Sequence, residues 1–587
     1  MIKNIKEQII NSLKNIGLEG EFELSQPPKA DMGDLAFPCF QFAKREGKNP
    51  TEVAKDLAQK LNDLFTKEDM RQSSLIFEVK AFGPYVNFFL DSNELASYVL
   101  DGIESAGEKY GELKIGKGKK VLIEFGCPNP LKVFHLGHLK NLITGESVVR
   151  VFANAGYEVI RINYQGDVGM HIAKALFGLQ TTDNGPQSFD AVLQIMKDME
   201  SKFLAERVAF LGEAYARGAK HFDSGDEAKG EVAEFNKKVY AKDPEIEEVY
   251  QLARQWSLDY FDTIYKKLGT HFDQFYFESQ VFERGTELVR EGVKNGIFKE
   301  SDGAVIFEGS KYGFHDRVFI SSQGYPTYEG KDIGLAERHF QEHHPDMVIH
   351  VVGKEQTGYF QVVFKALEQV FPATMGKEYH LPGGYLQLKG EKKMSSRTGN
   401  VISGEDLIAQ VEKSVREIMK ENDLDNKDEI IKKVSQAVLK YAMLKSDILQ
   451  DVSFDMQESI SFSGDSGPYL LYIVARIKSI LKKSKIKSQK SKVIFDIDIK
   501  TEEKRLLLML SRYPEATREA VESYDPSKVA KYIFDLAQVF NSFYQACPIL
   551  QATTEEAQLF RLRIIKNVET VMESGLNLLG IEVVEEM

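Results

Sequence analysis

Residues 121–138 read Val121-Leu-Ile-Glu-Phe-Gly-Cys-Pro-Asn-Pro-Leu-Lys-Val-Phe-His-Leu-Gly-His138. The opening apolar run, 121–125, suits a buried parallel strand. A turn carrying Pro128 and Pro130 follows, then a helical pattern over about 137–155 and a second strand pattern at 157–163. That is a βαβ unit with its functional turn at the carboxyl end of the first strand, the signature of a Rossmann-type parallel sheet.

A helix that opens just after a strand turns its unpaired backbone N–H groups, and the positive end of its dipole, toward a phosphate. His135 and His138 lie three apart and share a face of that first turn, where their ring N–H groups can donate to phosphate oxygens. Gly137 between them lets a nucleotide approach the backbone. Alone, such a histidine pair often does no more than cap a helix. A second stretch, Lys393-Met-Ser-Ser-Arg-Thr-Gly399, gathers cations, hydroxyls and a flexible glycine. A loop of that kind can close over a triphosphate and neutralise charge on departing pyrophosphate. In this order and at this separation, the two point to attack by a carboxylate on the α-phosphate of ATP.

The chain of 587 residues has room for three to five domains, and its 43% hydrophobic and 28% charged content is that of a soluble protein with a substantial core. No stretch reads as a membrane span, and the N-terminus lacks the pattern of a secretory signal. Cys39, Cys127 and Cys547 are scattered and odd in number. That points to a reducing compartment, the cytoplasm, and away from a disulfide framework or a cysteine zinc site. A net charge of −13 argues against indiscriminate nucleic-acid binding but allows a local basic face.

Residues 1–112 read as a separate small α+β unit: helices at 3–16 and 51–64, a turn at Gly33-Asp-Leu-Ala-Phe37, and strands at 75–79 and 85–90. Residues 113–455 hold the α/β sheet, split by a charged, helical insertion at about 180–270; strand patterns return at 304–307, 317–321 and 347–352. Residues 456–587 are all-α, with a lysine-rich run at 478–492. The cluster Arg338-His-Phe-Gln-Glu-His-His344 reads as a charged helix end, not a metal site.

The two motifs resemble those of the class I aminoacyl-tRNA synthetases. Further stretches narrow the resemblance to the arginyl-tRNA synthetases over essentially the whole chain: Gly33-Asp-Leu-Ala-Phe37, Tyr85-Val-Asn-Phe88, Tyr164-Gln-Gly-Asp-Val-Gly169, Tyr325-Pro-Thr-Tyr-Glu-Gly-Lys-Asp332, Ser466-Gly-Pro-Tyr469, Leu510-Ser-Arg-Tyr-Pro514 and Leu578-Leu-Gly580. A cysteine-type synthetase would instead bring zinc-ligand cysteines, which the chain lacks. One departure stands out: Ser396 replaces the second lysine of the class I loop. By resemblance, Lys132 just ahead of the histidines takes its place, acting with Lys393.

The resemblance implies an arginine–tRNA ligase that forms arginyl-adenylate from L-arginine and ATP, with Mg2+ on the phosphates. It then passes arginine to the terminal ribose of tRNA(Arg), and tRNA must be bound before arginine is activated. ATP would meet His135, Gly137, His138, Lys393, Met394, Ser395 and Ser396. Glu278 and Asp332 would hold the guanidinium, whose fixed N–H donors match paired carboxylates, with Tyr328 packed on it or hydrogen-bonded to it. Asn129 and the Gln356 region would hold the α-amino and carboxylate ends, with Glu355 the alternative to Gln356. The C-terminal unit resembles the family's anticodon-binding domain, placing Tyr469, Tyr472, Arg476 and Met587 near RNA. The N-terminal unit resembles the extra domain that meets the tRNA corner. Monomers are usual in the family, and no structural zinc is needed.

Overall fold

The computed structural model describes residues 2–65, 75–182, 185–390, 403–484 and 497–587. Near the N-terminus, strands Leu35–Pro38, Tyr85–Leu90 and Ile76–Phe82 form an antiparallel sheet in that order. Helix Pro50–Phe65 packs on it, and helix Ile2–Asn15 packs on that helix. The expected turn at Gly33–Phe37 is therefore half strand. Gly33, at φ 106°, makes the bend, and Asp34 accepts the N–H of Leu90 at 2.7 Å to lock the strand in place.

The five strands of the parallel sheet are β1 (Lys120–Glu124), β2 (Glu158–Gln165), β3 (Gln274–Phe277), β4 (Met347–Gly353) and β5 (Glu378–Gly383). Their order is β5-β4-β1-β2-β3, every pairing parallel. Val121, Leu122 and Ile123 are fully buried, as a strand covered on both faces requires. The chain runs outward from β1 to β2 and β3, then returns to the other side as β4 and β5. The switch point thus lies at the carboxyl ends of β1 and β4, where open α/β sheets bind ligands.

One expectation needs correction. The strands at Ala304–Phe307 and Arg317–Ile320 do not rejoin the parallel sheet; with Lys299–Ser301 they form a separate antiparallel sheet. Short, half-buried strands whose connections are too short for a crossover favour antiparallel pairing, because a parallel neighbour needs about a dozen residues or more between strands. Met347–Gly353 alone of the three returns to the main sheet.

The insertion between β2 and β3 is helical from Phe189–Asp198 through Pro244–Leu268. Among the described residues beyond 403 nearly everything is helical, apart from Val452–Phe454, which pairs with Leu386–Leu388. The N-terminal unit docks on these C-terminal helices. Tyr110 donates its hydroxyl to Leu510 O at 2.9 Å, and Lys504 pairs with Asp34 at 2.8 Å. The Gly33–Phe37 and Leu510–Pro514 motifs are thus parts of one joint.

Candidate active site

Helix Leu136–Asn154 follows β1 and is buried along most of its length. Its packing on the sheet leaves no spare volume: a Cβ at Gly145 would lie 2.2 Å from Phe125. The turn between them is held in an uncommon shape, with Cys127 and Leu131 both at positive φ (43° and 62°). Ser257, on the last insertion helix, accepts the Leu131 N–H at 3.0 Å and so pins the turn that presents Lys132.

His135 caps the helix. Its Nδ1 accepts the N–H groups of Gly137 (3.1 Å) and His138 (3.4 Å), while His138 Nδ1 accepts that of His135 (3.2 Å). The rings stack with centroids 3.7 Å apart. A nitrogen that accepts carries no proton, so each neutral ring bears its hydrogen on Nε2. Burial, with Lys132 nearby, pushes both rings below the ordinary histidine range, His138 furthest. Nδ1 of each ring is thus taken up at the helix start, and Nε2 is left as a donor.

Lys132 has its ammonium 5.4 Å from the ring centre of Tyr215, an insertion residue. Burial and Lys174 push it below the ordinary lysine range, against the pull of Glu278. Lys393, Met394, Ser395 and Ser396 lie outside the described residues. The next described residue, Ser403, bridges to His135, and Gly404 N–H donates to Phe134 O at 2.9 Å. The chain leaving the second motif is anchored on the first.

A cluster of acids lies below. Glu278 starts the helix after β3, and Asp167 fixes that start, accepting Ser279 N–H and Oγ–H at 2.8 Å each. Glu278 Oε2 takes the Lys331 ammonium at 2.6 Å. Its Oε1 and Asn129 Oδ1 both crowd Gly166, where a Cβ would stand 3.1 and 2.7 Å from them. Asn129 Oδ1 also accepts Gly166 N–H at 3.0 Å, so its Nδ2 is the donor left for a ligand. Asp332 is half-buried, with Tyr359 donating to it at 2.6 Å; desolvation chiefly pushes its carboxyl up to about 8. Tyr328, one turn earlier, is 51% exposed at the pocket mouth and shares Glu278 as an electrostatic neighbour. Gln356 is exposed in the turn after β4, and Glu355 folds back over Gly353. Neither has a recorded contact with the Asp332 cluster.

Three family comparisons cover most of the chain. Residues 100–456 match the model for tRNA synthetases class I (R), catalytic domain; residues 470–587 match the DALR anticodon binding domain; residues 3–90 match the arginyl tRNA synthetase N terminal domain. The chain belongs to the arginyl-tRNA synthetases. The arginine–tRNA ligase of Clostridium perfringens is 33% identical over the whole chain and 99% of that relative. That of Treponema denticola is 31% identical over 97% of this chain and 95% of its own. The arginyl-tRNA synthetase of Thermus thermophilus superposes over both full chains with a TM-score of 0.76 at 24% identity, a likeness of fold.

On the C-terminal side of this arginyl-tRNA synthetase, the two tyrosines diverge. Tyr469 is buried, packs on Phe534 and accepts Asn541 Nδ2 at 2.6 Å. Its ring is taken up in helix packing rather than presented to solvent. Tyr472 is exposed, with the Arg476 guanidinium 5.8 Å from its ring centre and 4.1 Å from that of Tyr544. Met587 packs against the core, and residues 485–492 of the lysine run lie outside the described residues. Among the described residues, no helix is long and apolar enough to cross a membrane, and no group of three or more histidine, cysteine or acidic side chains could hold a metal.

Sequence reading missed several members of the site. Tyr164 and Asp167 stand in a quoted motif, yet only the fold shows the Tyr164 hydroxyl among Glu278, Asp332 and Glu124. Lys331 is adjacent to Asp332 in sequence, and its contact with Glu278 depends on the packing of two helices.

Proposed function

We propose that this chain joins L-arginine to tRNA(Arg) at the expense of ATP, with three units dividing near residues 112 and 455. The observation that carries the reading is convergence at one edge of the sheet. Paired Nε2 donors at a helix N-terminus have Lys132 as an electrostatic neighbour, and Lys132 in turn acts on Glu278 in the acid pocket.

The guanidinium enters between Asp332 and the free Oε1 of Glu278, with Tyr328 closing the mouth. Asn129 Nδ2 suits the substrate carboxylate. Gln356 is assigned to the substrate's α-amino end. The carboxylate oxygen attacks the α-phosphorus of MgATP, the bond to the bridging oxygen breaks, and pyrophosphate leaves with the electron pair. His135 and His138 donate to phosphate oxygens, and Lys132 and Lys393 balance the growing charge in place of the lysine replaced by Ser396. Gly137 admits the adenosine, and Met394, Ser395 and Ser396 close the loop. Magnesium arrives as part of the MgATP substrate. The terminal ribose hydroxyl of tRNA then takes the arginyl group from AMP. Positioning and charge stabilisation supply the rate. Tyr472, Arg476 and the C-terminus near Met587 form the RNA side of a monomeric, cytoplasmic enzyme.

The test is arginylation of tRNA with radiolabelled arginine, alongside arginine-dependent pyrophosphate exchange with and without tRNA. Exchange that appears only with tRNA and only with arginine is expected. Charging with another amino acid in preference to arginine would overturn the reading.

A further inference from the structure

Three adjacent strands carry a row of ionisable side chains beneath this pocket. Glu124 ends β1, His350 stands opposite it on β4, and Glu378 opens β5. His350 Nε2 lies 2.8 Å from Glu378 and Nδ1 lies 3.4 Å from Glu124, with all three side chains at most 9% exposed. Phe360 and Phe364 pack on the imidazole at 5.1 and 5.6 Å between ring centres. Nε2 hydrogen-bonds Glu378 and Nδ1 stands within ion-pair distance of Glu124, so both carboxylates favour the protonated ring. Burial opposes that charge, yet Glu124 and Glu378 keep His350 well above the ordinary histidine range.

The row touches the arginine pocket directly. Asp332, His350 and Glu378 line one cavity of only about 10 Å³. The groups acting on Asp332 come from every side: Tyr359 and His350 favour its charge, whereas Glu124 and Glu278 oppose it. Cys127 and Tyr164 complete the surroundings, and Lys331 on its own helix is committed to Glu278.

We propose that His350, clamped between Glu124 and Glu378, is a positioning residue for arginine recognition, a fixed cation beneath the pocket that lets Asp332 meet the guanidinium as a carboxylate. The inference rests on the arginine reading of the site. Without His350, Glu124, Asp332 and Glu278 would share one desolvated space whose remaining cations, Lys331 and Lys132, both act on Glu278. Like charges so placed keep a proton among them. Asp332, whose carboxyl desolvation already pushes up to about 8, is the one to keep it, and a neutral acid binds a guanidinium weakly.

The experiment is steady-state arginylation of tRNA with L-arginine varied, from about pH 6 to about pH 9, for the wild type, His350→Gln and Glu378→Gln. In His350→Gln the acid limb of kcat/KM for arginine moves about one pH unit upward. The arginine KM near neutral pH rises about tenfold while kcat stays within about threefold. Glu378→Gln keeps the ring and its packing, and moves both quantities the same way by less; it decides the matter should His350→Gln fail to fold. An active wild type whose soluble variants keep its KM and its acid limb overturns the inference alone. A wild type that does not charge tRNA with arginine overturns the functional reading and the inference with it.

Discussion

The Lys331 ammonium lies 2.6 Å from the Glu278 carboxylate, and neither side chain is more than 4% exposed. Burial alone would lower the lysine, but Glu278 holds it above its ordinary range. One of the two acids assigned to arginine is thus already half-neutralised by the neighbour of the other. The pocket keeps one acid, Asp332, whose carboxyl desolvation pushes up to about 8 until a cation arrives, and a shared anionic position at Glu278 Oε1. That arrangement suits one monovalent guanidinium better than two unpaired buried carboxylates would.

Lys331→Met keeps the aliphatic stem and strands Glu278. Removing one partner of a buried pair costs about 3–5 kcal/mol, so Tm falls. Arginine brings a cation to the same carboxylate, so saturating L-arginine raises the variant's Tm by more than the wild type's. Scanning fluorimetry with and without arginine reads both; equal arginine shifts would remove Glu278 from the pocket.

Asp332 releases its proton at about 8 in the folded chain, against about 4 when unfolded. The folded state binds that proton more tightly, so the proton stabilises the fold. This contribution is complete below about pH 4 and is lost as pH rises through about 8. Asp332→Asn is neutral throughout and lacks the slope, so it is the more stable protein above about pH 8. It also lowers kcat/KM for arginine by about a hundredfold or more while ATP binding survives. Urea midpoints at two pH values and calorimetry with ATP check both halves, and a near-normal arginine KM in the variant would sink the assignment.

Ser257→Ala leaves the Leu131 N–H without its acceptor in a left-handed turn. An unpaired buried donor costs about 1–3 kcal/mol, and Lys132, the next residue, loses its fixed origin. The expected result is a kcat lowered about tenfold with arginine KM within about twofold. A raised KM with unchanged kcat would place Lys132 on arginine rather than on the phosphates.

The signature turn is legible in sequence because its parts are contiguous: an apolar strand, two prolines and two histidines on one helical turn. Asp332 and Tyr328 are legible for the same reason. The row Glu124–His350–Glu378 is not, since it exists only across the register of three strands. The small antiparallel sheet misleads because a four-residue run such as Ala304–Phe307 looks alike in either sheet type. Tyr469 and Tyr472 share one helix and one composition, and which of them is buried depends on where the helix Ser527–Ala546 lies.

Those two tyrosines give opposite outcomes. RNA stacking needs an open ring face and a nearby cation. Tyr472 has both, being 38% exposed with Arg476 beside it. Tyr469 has neither, and its hydroxyl serves Asn541. Tyr472→Ala should therefore weaken tRNA binding about tenfold or more, as loss of one stacked base does, with Tm almost unchanged. Tyr469→Phe should leave tRNA affinity intact and lower Tm slightly by removing the acceptor of the half-buried Asn541 amide, a cost of about 1 kcal/mol. Fluorescence anisotropy with labelled tRNA and thermal melts measure the pair. The reverse pattern would put RNA on the face of the helix that packs against Asn541.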